Sequence, residues 1–403
     1  MKKKFRIILL SNHANALFFS SNIQNFKDSL ETIIVYTSPK TGFSHLNFDH
    51  KFHKKLCLLP FSENIRVLNY KFNFFLAEDI TNVLKSKKYD SFYKSQSKKL
   101  INFLKKNKIN IDEINELWFG WSQLKYIFFY ILDGFNCNYY KFDHGFGDIR
   151  ATIYDLKDRL RTQIRFVKNI FFKHYVNIPK YNYVTLFYDE INKINNSKNH
   201  RLIKIKPDRC KKNIKICEKK IKKNYLKINL KKNSLVLMVD YICLTQKKNK
   251  DQDIKSFFNE LTNYMDLKIS NELKRKNIKN IIIKTKIHNN LNSRIFVKYL
   301  KDKYKFKYNV YLFNEIIKGN YNIEYCTNIL RCKIILSTFS SGQLTLMKIN
   351  NKIPKNYIFT DWYLDFWKKK NKSELLHHDF KWVTNFFYNV YYKNFKYILP
   401  KFL

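Results

Sequence analysis

The chain has 403 residues, enough for two domains with full cores, and its 45% apolar and 17% aromatic content excludes a disordered basic tail. A formal net charge of +45 makes the surface strongly positive, which suits phosphate groups, an anionic membrane, nucleic acid or an acidic polysaccharide. Lys, Asn, Ile, Phe and Tyr are abundant while Gly and Pro number only 7 and 6, as AT-rich coding also produces, so the charge by itself names no partner.

In chain order, Phe5–Leu10 and Thr32–Thr37 are apolar, partly β-branched runs that predict buried strands. Ser95–Lys106 sets Leu100, Ile101, Phe103 and Leu104 among lysines, the spacing of an amphipathic helix. Glu116–Phe119 and Asn138–Phe142 predict two more strands, with an aromatic helix over Gln123–Leu132 between them. Strands alternating with helices predict a parallel sheet, and residues 1–185 a first α/β domain. Residues 186–232 follow as a basic connector. Its Arg201–Lys232 portion is rich in Lys and Arg with only Asp208 and Glu218 as acids, and it lacks the interleaved aromatics of a nucleic-acid stacking platform. A second α/β series spans 233–360. It has strands at Ser234–Val239, Asn280–Lys284, Asn309–Phe313 and Lys333–Leu336, and helices at Ile254–Met265, Ser293–Leu300 and from Gly342 to Lys348. Residues 361–403 are aromatic and basic and read as helical, packing across the domains.

Seven cysteines are scattered, with no C-x-x-C pair, so neither a disulfide framework nor a zinc site is indicated and a reducing cytoplasm fits. The apolar run Ile7–Leu10 is too short for a signal peptide, and no stretch approaches the roughly 20 apolar residues of a membrane span.

Three short segments carry the chemistry, each directly after a predicted strand. Asp143-His144-Gly145-Phe146-Gly147 offers a carboxylate or an imidazole as general base at a glycine turn. Lys286-Ile287-His288-Asn289 offers a proton donor or phosphate ligand in His288 and charge neutralisation in Lys286. Ser337-Thr338-Phe339-Ser340-Ser341-Gly342 precedes a helix, and its hydroxyls with the helix N-terminus make a phosphate site. The ordinary alternatives are a polar turn, a surface histidine and a helix cap, but one cap needs one hydroxyl. Together the segments predict opposite walls of one cleft between two domains. Asp251-Gln252-Asp253 has D-x-D metal spacing but reads as a loop, and the side chains of His377-His378-Asp379 diverge on a helix.

In order and residue type the three segments resemble the bacterial sialyltransferase and polysialyltransferase group, nearest to the α-2,8-polysialyltransferase-like family. The matching motifs are an acidic-acidic-Gly, a His-Pro and a Ser/Thr-rich segment. Glu324 falls where such families carry an acidic residue near the nucleotide. The resemblance implies a GT-B fold of two Rossmann-like domains facing a central cleft. It also implies CMP-sialic acid as donor, inversion, and no metal or other cofactor. Carried over, the catalytic roles fall on Asp143, His144 and His288, and donor binding on Lys286, Ser337, Thr338, Ser340, Ser341 and Glu324. Two departures stand out: His144 replaces the second acidic residue and Asn289 replaces the proline.

The resulting expectation is a cytoplasmic sialyltransferase acting on a cell-surface glycan, glycolipid or capsular acceptor. Kdo or polyol-phosphate transfer is the runner-up within the class. The alternative of another class is a non-enzymatic basic protein binding nucleic acid or membrane. A peripheral membrane contact through 361–403 is compatible with the enzyme reading, and no nucleic-acid partner is expected of the enzyme.

Overall fold

A computed structural model describes residues 4–10, 29–39, 65–72, 88–120, 124–142, 180–194, 201–238, 251–284, 291–319, 321–337, 341–349, 354–358, 362, 365–366, 369 and 401–402. The chain divides into two compact units, Met1–Asn213 and Ile214–Leu403.

The first unit is built on strands β1 (Phe5–Leu10), β2 (Glu31–Pro39), β3 (Ile65–Phe72), β4 (Ile114–Phe119), β5 (Asn138–Phe142), β6 (Asn182–Thr185) and β7 (Leu202–Lys204). They form one sheet in the order β3-β2-β1-β4-β5-β6-β7, parallel throughout. β7 lies inside the segment expected to be a connector. Helices α1 (Lys88–Lys106), α2 (Leu124–Ile131) and α3 (Tyr188–Ile194) link these strands, and α4 (Pro207–Asn224) follows them, with its residues from Ile214 onward in the second unit. On one face Ile7, Leu9, Ile33, Val35, Leu117 and Phe119 pack with Leu100 and Leu104 of α1 and with Ile127 and Phe128 of α2. Ile8 and Ile34 between them are also fully buried. Burial on both faces is why these central strands are continuous apolar runs.

The second unit repeats the plan with β8 (Asn233–Met238), β9 (Ile278–Lys284), β10 (Asn309–Leu312), β11 (Cys332–Ser337), β12 (Lys355–Ile358) and β13 (Lys401–Phe402). Their order is β10-β9-β8-β11-β12-β13, again parallel. Four helices complete it: α5 (Asp251–Arg275), α6 (Leu291–Lys303), α7 (Phe313–Ile316) and α8 (Ser341–Ile349). Leu235, Leu237, Ile281, Ile283, Ile334 and Leu336 meet Phe258 and Leu261 of α5 and Phe296 and Leu300 of α6. Phe366 joins this core, and Trp362 stacks on Tyr264 with centroids 5.3 Å apart.

Two expectations are corrected. Asp251-Gln252-Asp253 is the first turn of α5 and not a loop; the amphipathic pattern begins there, and acids favour a helix N-terminus. Lys401–Phe402, read as helical, pairs in parallel with Tyr357–Ile358. The free edge of β12 offers that ladder to the chain's last residues.

In each sheet the first strand lies between the second and the fourth. This is the doubly wound order, and its crevice opens at the carboxyl ends of strands 1 and 4. In the first unit those ends are Leu10 and Phe119, and in the second Met238 and Ser337, which are register partners.

One buried charge holds the first sheet in register. Arg6 is 1% exposed, and its Nε donates to Glu116 Oε2 at 2.6 Å, across the β1–β4 pair. Trp118 Nε1 donates to the same oxygen at 2.7 Å, and Trp118 stacks on Tyr140 at 4.2 Å. Arg6→Met should strand the Glu116 carboxylate and lower stability by about 3 kcal/mol. The urea midpoint measures this, and Arg6→Met with Glu116→Leu should recover part of the loss.

Candidate functional site

The parallel sheets put three chemistry-bearing segments at strand carboxyl ends. Asp143 follows directly on Phe142, the last residue of β5. Lys286 and His288 follow β9, which ends at Lys284. Ser337 is itself the last residue of β11, and Ser341 the first of α8. Asp143, His144, Lys286, His288, Thr338 and Ser340 lie outside the described residues, as does His377-His378-Asp379, and of Ser341 only the backbone is described. The geometry that follows therefore belongs to Ser337, Glu324 and what surrounds them.

Ser337 is 1% exposed, and its hydroxyl donates to Gln343 Oε1. Gln343, 0% exposed, donates from Nε2 to the Tyr357 carbonyl at 3.1 Å. The end of β11, the first turn of α8 and the adjacent strand β12 are thereby tied through one serine and one amide. Ser337 and Gln343 fix the start of α8 at the crevice.

Glu324 sits in a single 3₁₀ turn, Ile323–Tyr325, and is 4% exposed. Its carboxylate lies against the first turn of α8. A Cβ added to Gly342 would stand 3.2 Å from Glu324 Oε2 and 3.0 Å from Ile323 Cγ2. Glycine at 342 thus permits this approach of a carboxylate to a helix N-terminus, where negative charge is favoured. Burial pushes the Glu324 carboxyl above its ordinary value, and its own backbone N–H and the cation of Lys284 oppose the rise. Lys284, at the end of β9, also lies over the Phe313 ring at 5.0 Å. The second unit therefore joins the ends of β9 and β11 through one buried carboxylate, one lysine and one helix start.

Three contributors escaped the sequence reading: Lys284, Gly342 and Gln343. Lys284 reads there as an ordinary strand end. Gly342 and Gln343 stand inside a legible segment, but their partners are Glu324 and Tyr357, and only the folded sheet brings those near. Among the described residues, no group of three or more His, Cys, Asp or Glu could hold a metal ion.

No protein-family model matches the chain. No curated protein matches it by sequence. Solved structures are similar to it over most of the chain. An α/β-galactoside α-2,3-sialyltransferase from Photobacterium phosphoreum is 10% identical with a TM-score of 0.46, over 94% of this chain and 98% of that one. A UDP-N-acetylglucosamine 2-epimerase is 9% identical with a TM-score of 0.44, over 99% and 90%. A UDP-glucose:anthocyanidin 3-O-glucosyltransferase is 9% identical with a TM-score of 0.46, over 89% and 81%. At these scores the likeness does not bear on activity.

The raised Glu324 carboxyl sets a pH signature. The folded state holds its proton more tightly than the unfolded chain, so Glu324 favours folding below about pH 4.5 and loses that contribution as pH rises through its elevated value. Glu324→Gln, which never ionises, should gain stability over the parent protein between pH 4.5 and 8, with the gap closing toward pH 4.5. Denaturant unfolding across that range checks it. Ser337→Ala should cost about 1–2 kcal/mol at every pH in the same assay, because Gln343 Oε1 loses its buried donor.

Proposed function

We propose that the chain is an inverting glycosyltransferase that moves sialic acid from CMP-sialic acid to a glycan or glycolipid acceptor, without a metal. The observation that carries this reading lies at the β8–β11 crevice. Four of the five residues from Ser337 to Ser341 carry a hydroxyl, and Ser341 is the first residue of α8. Hydroxyl residues beside helix N–H groups at a switch point suit a nucleotide phosphate, with Ser337 held by Gln343 as the anchor of the segment. Two further supports are the cationic Lys284 and Lys286 with the imidazole of His288, at and after β9, and the order in which the acidic, histidine and serine segments follow one another.

In this reading an acceptor hydroxyl attacks the anomeric carbon of the donor. Its proton passes to Asp143 or His144, and the new C–O bond forms as the bond to the CMP phosphate breaks. The leaving electron pair goes to phosphate oxygen. His288 donates a proton or hydrogen bond there, and Lys286 with Ser340 and Ser341 neutralises and orients the dianion. Glu324, Ser337 and Thr338 complete the donor side, Glu324 and Ser337 by positioning α8. The GT-B arrangement, a cytoplasmic location and an acceptor on a surface polymer belong to this proposal. The buried thiols of Cys326 and Cys332 suit a reducing compartment. Among the described residues, no helix is long and apolar enough to cross a membrane.

The charge of +45 favours a second reading, a basic protein that binds polyanions without catalysis. The two separate in one assay series. The enzyme should release CMP from CMP-sialic acid in the presence of a suitable acceptor. His288→Ala should lower that rate by about 10²–10⁴-fold while leaving the circular dichroism unchanged. Turnover of CMP-Kdo alone would move the donor assignment to Kdo. A binding protein would release no CMP from any CMP-sugar, and its affinity for DNA would fall steeply with salt.

A further inference from the structure

The second unit has a cavity of about 480 Å³ at the amino ends of its central strands, opposite the carboxyl end where Ser337 lies. Asn233 and Cys332, the first residues of β8 and β11, are in its wall. Five residue steps along β11, from Cys332 to Ser337, separate that wall from the carboxyl end, about 16 Å at a strand's rise. The cavity is thus a separate place from the crevice at which α8 begins.

Its wall is cationic. Lys215, Lys219 and Lys222 of α4 line it, together with Arg331 and Lys333 around the start of β11. Spacings of four and three residues put the lysines on one face of α4. Like charges so placed repel one another by a few tenths of a kcal/mol per pair, and Arg331 adds a guanidinium fork that suits phosphate. Glu218 is the one carboxylate in the wall, and it is already engaged. It is 8% exposed, and Asn328 Nδ2 donates to its two oxygens at 2.8 and 2.7 Å. Five cations therefore face the cavity against a single buried, hydrogen-bonded carboxylate. Asn229 and Thr327 add neutral hydrogen-bonding groups. The volume falls within the range of small-ligand sites, and the exposed Lys215, Lys219, Lys222 and Arg331 leave it open to solvent.

We propose that this cavity is a second anion site, built to take a phosphate-bearing group distinct from the donor nucleotide. A single carboxylate would leave most of the cationic charge uncompensated, whereas a pyrophosphate-like or phosphodiester group would match it. Such a group has two sources, a soluble phosphate ester or the headgroup of an anionic lipid, and the same residues would recognise either.

A chain of this net charge binds anions broadly, so the test compares positions at constant charge. One triple variant is Lys215→Glu, Lys219→Glu and Arg331→Glu, in the cavity wall. The control is Lys268→Glu, Lys274→Glu and Lys298→Glu, exposed on α5 and α6 and away from the cavity. Inorganic pyrophosphate is titrated calorimetrically into each full-length protein. Each is also sedimented with phosphatidylcholine vesicles with and without phosphatidylglycerol. The cavity triple should weaken one pyrophosphate binding event, or phosphatidylglycerol-dependent sedimentation, by at least about tenfold, and the control by less than about threefold. Loss in the titration assigns a soluble ester, and loss only with vesicles assigns a lipid headgroup. Equal weakening in both triples, or no binding by the parent protein in either assay, overturns the proposal. A second pyrophosphate at the donor site would leave the comparison between triples unchanged.

Discussion

A parallel strand buried on both faces meets solvent only at its two ends. Both sheets obey that constraint, because Ile7, Ile8 and Leu9 in β1 and Leu235, Val236 and Leu237 in β8 are all fully buried. Polar chemistry on such a scaffold has to collect at strand ends, and the doubly wound order opens a crevice at one of them. In the second unit the crevice is bounded by Met238 and Ser337, and α8 starts four residues beyond Ser337. Everything proposed for the donor side follows from that placement.

The packing around α8 shows where the second unit gives up stability. A carboxylate buried beneath the first turn of a helix is costly, and Glu324 has its pKa raised by that burial. A leucine or glutamine there would fold more easily. Retaining an acid beside Gly342 and near Lys284 makes sense where a helix start and a cation must be held in register for a phosphate. The Ser337–Gln343–Tyr357 chain performs the matching mechanical task without charge, tying strand, helix and neighbouring strand together.

What the sequence made legible divides along the same physical line. β1, β4, β8, β9 and β11 are interior strands, and each contains an apolar run of three or more residues, so the sequence reading places each to within about two residues. β3 was missed: it is an edge strand, and Arg66, Asn69 and Lys71 interrupt its apolar residues. β7, β6 and β12 each hold only two consecutive apolar residues, whereas the equally short and legible β10 holds three. The candidate site was legible as three segments because each follows a strand. The Glu324–Gly342 approach was not, because it depends on a 3₁₀ turn meeting a helix start. The cavity beneath α4 was invisible for a related reason. Its lysines read as a solvated connector until Arg331 and Lys333 were seen to share the wall.

The central claim is that the loop entering α8 holds the phosphate of a CMP-activated sugar. Thermal unfolding of the full chain with increasing CMP, beside equal concentrations of UMP, tests it most directly. Selective binding predicts a rise in melting temperature with CMP that grows with concentration, equivalent to about 2.7 kcal/mol at one hundred times the dissociation constant. UMP should give a clearly smaller rise. An unchanged melting temperature at millimolar CMP, or equal shifts with both nucleotides, would contradict the account.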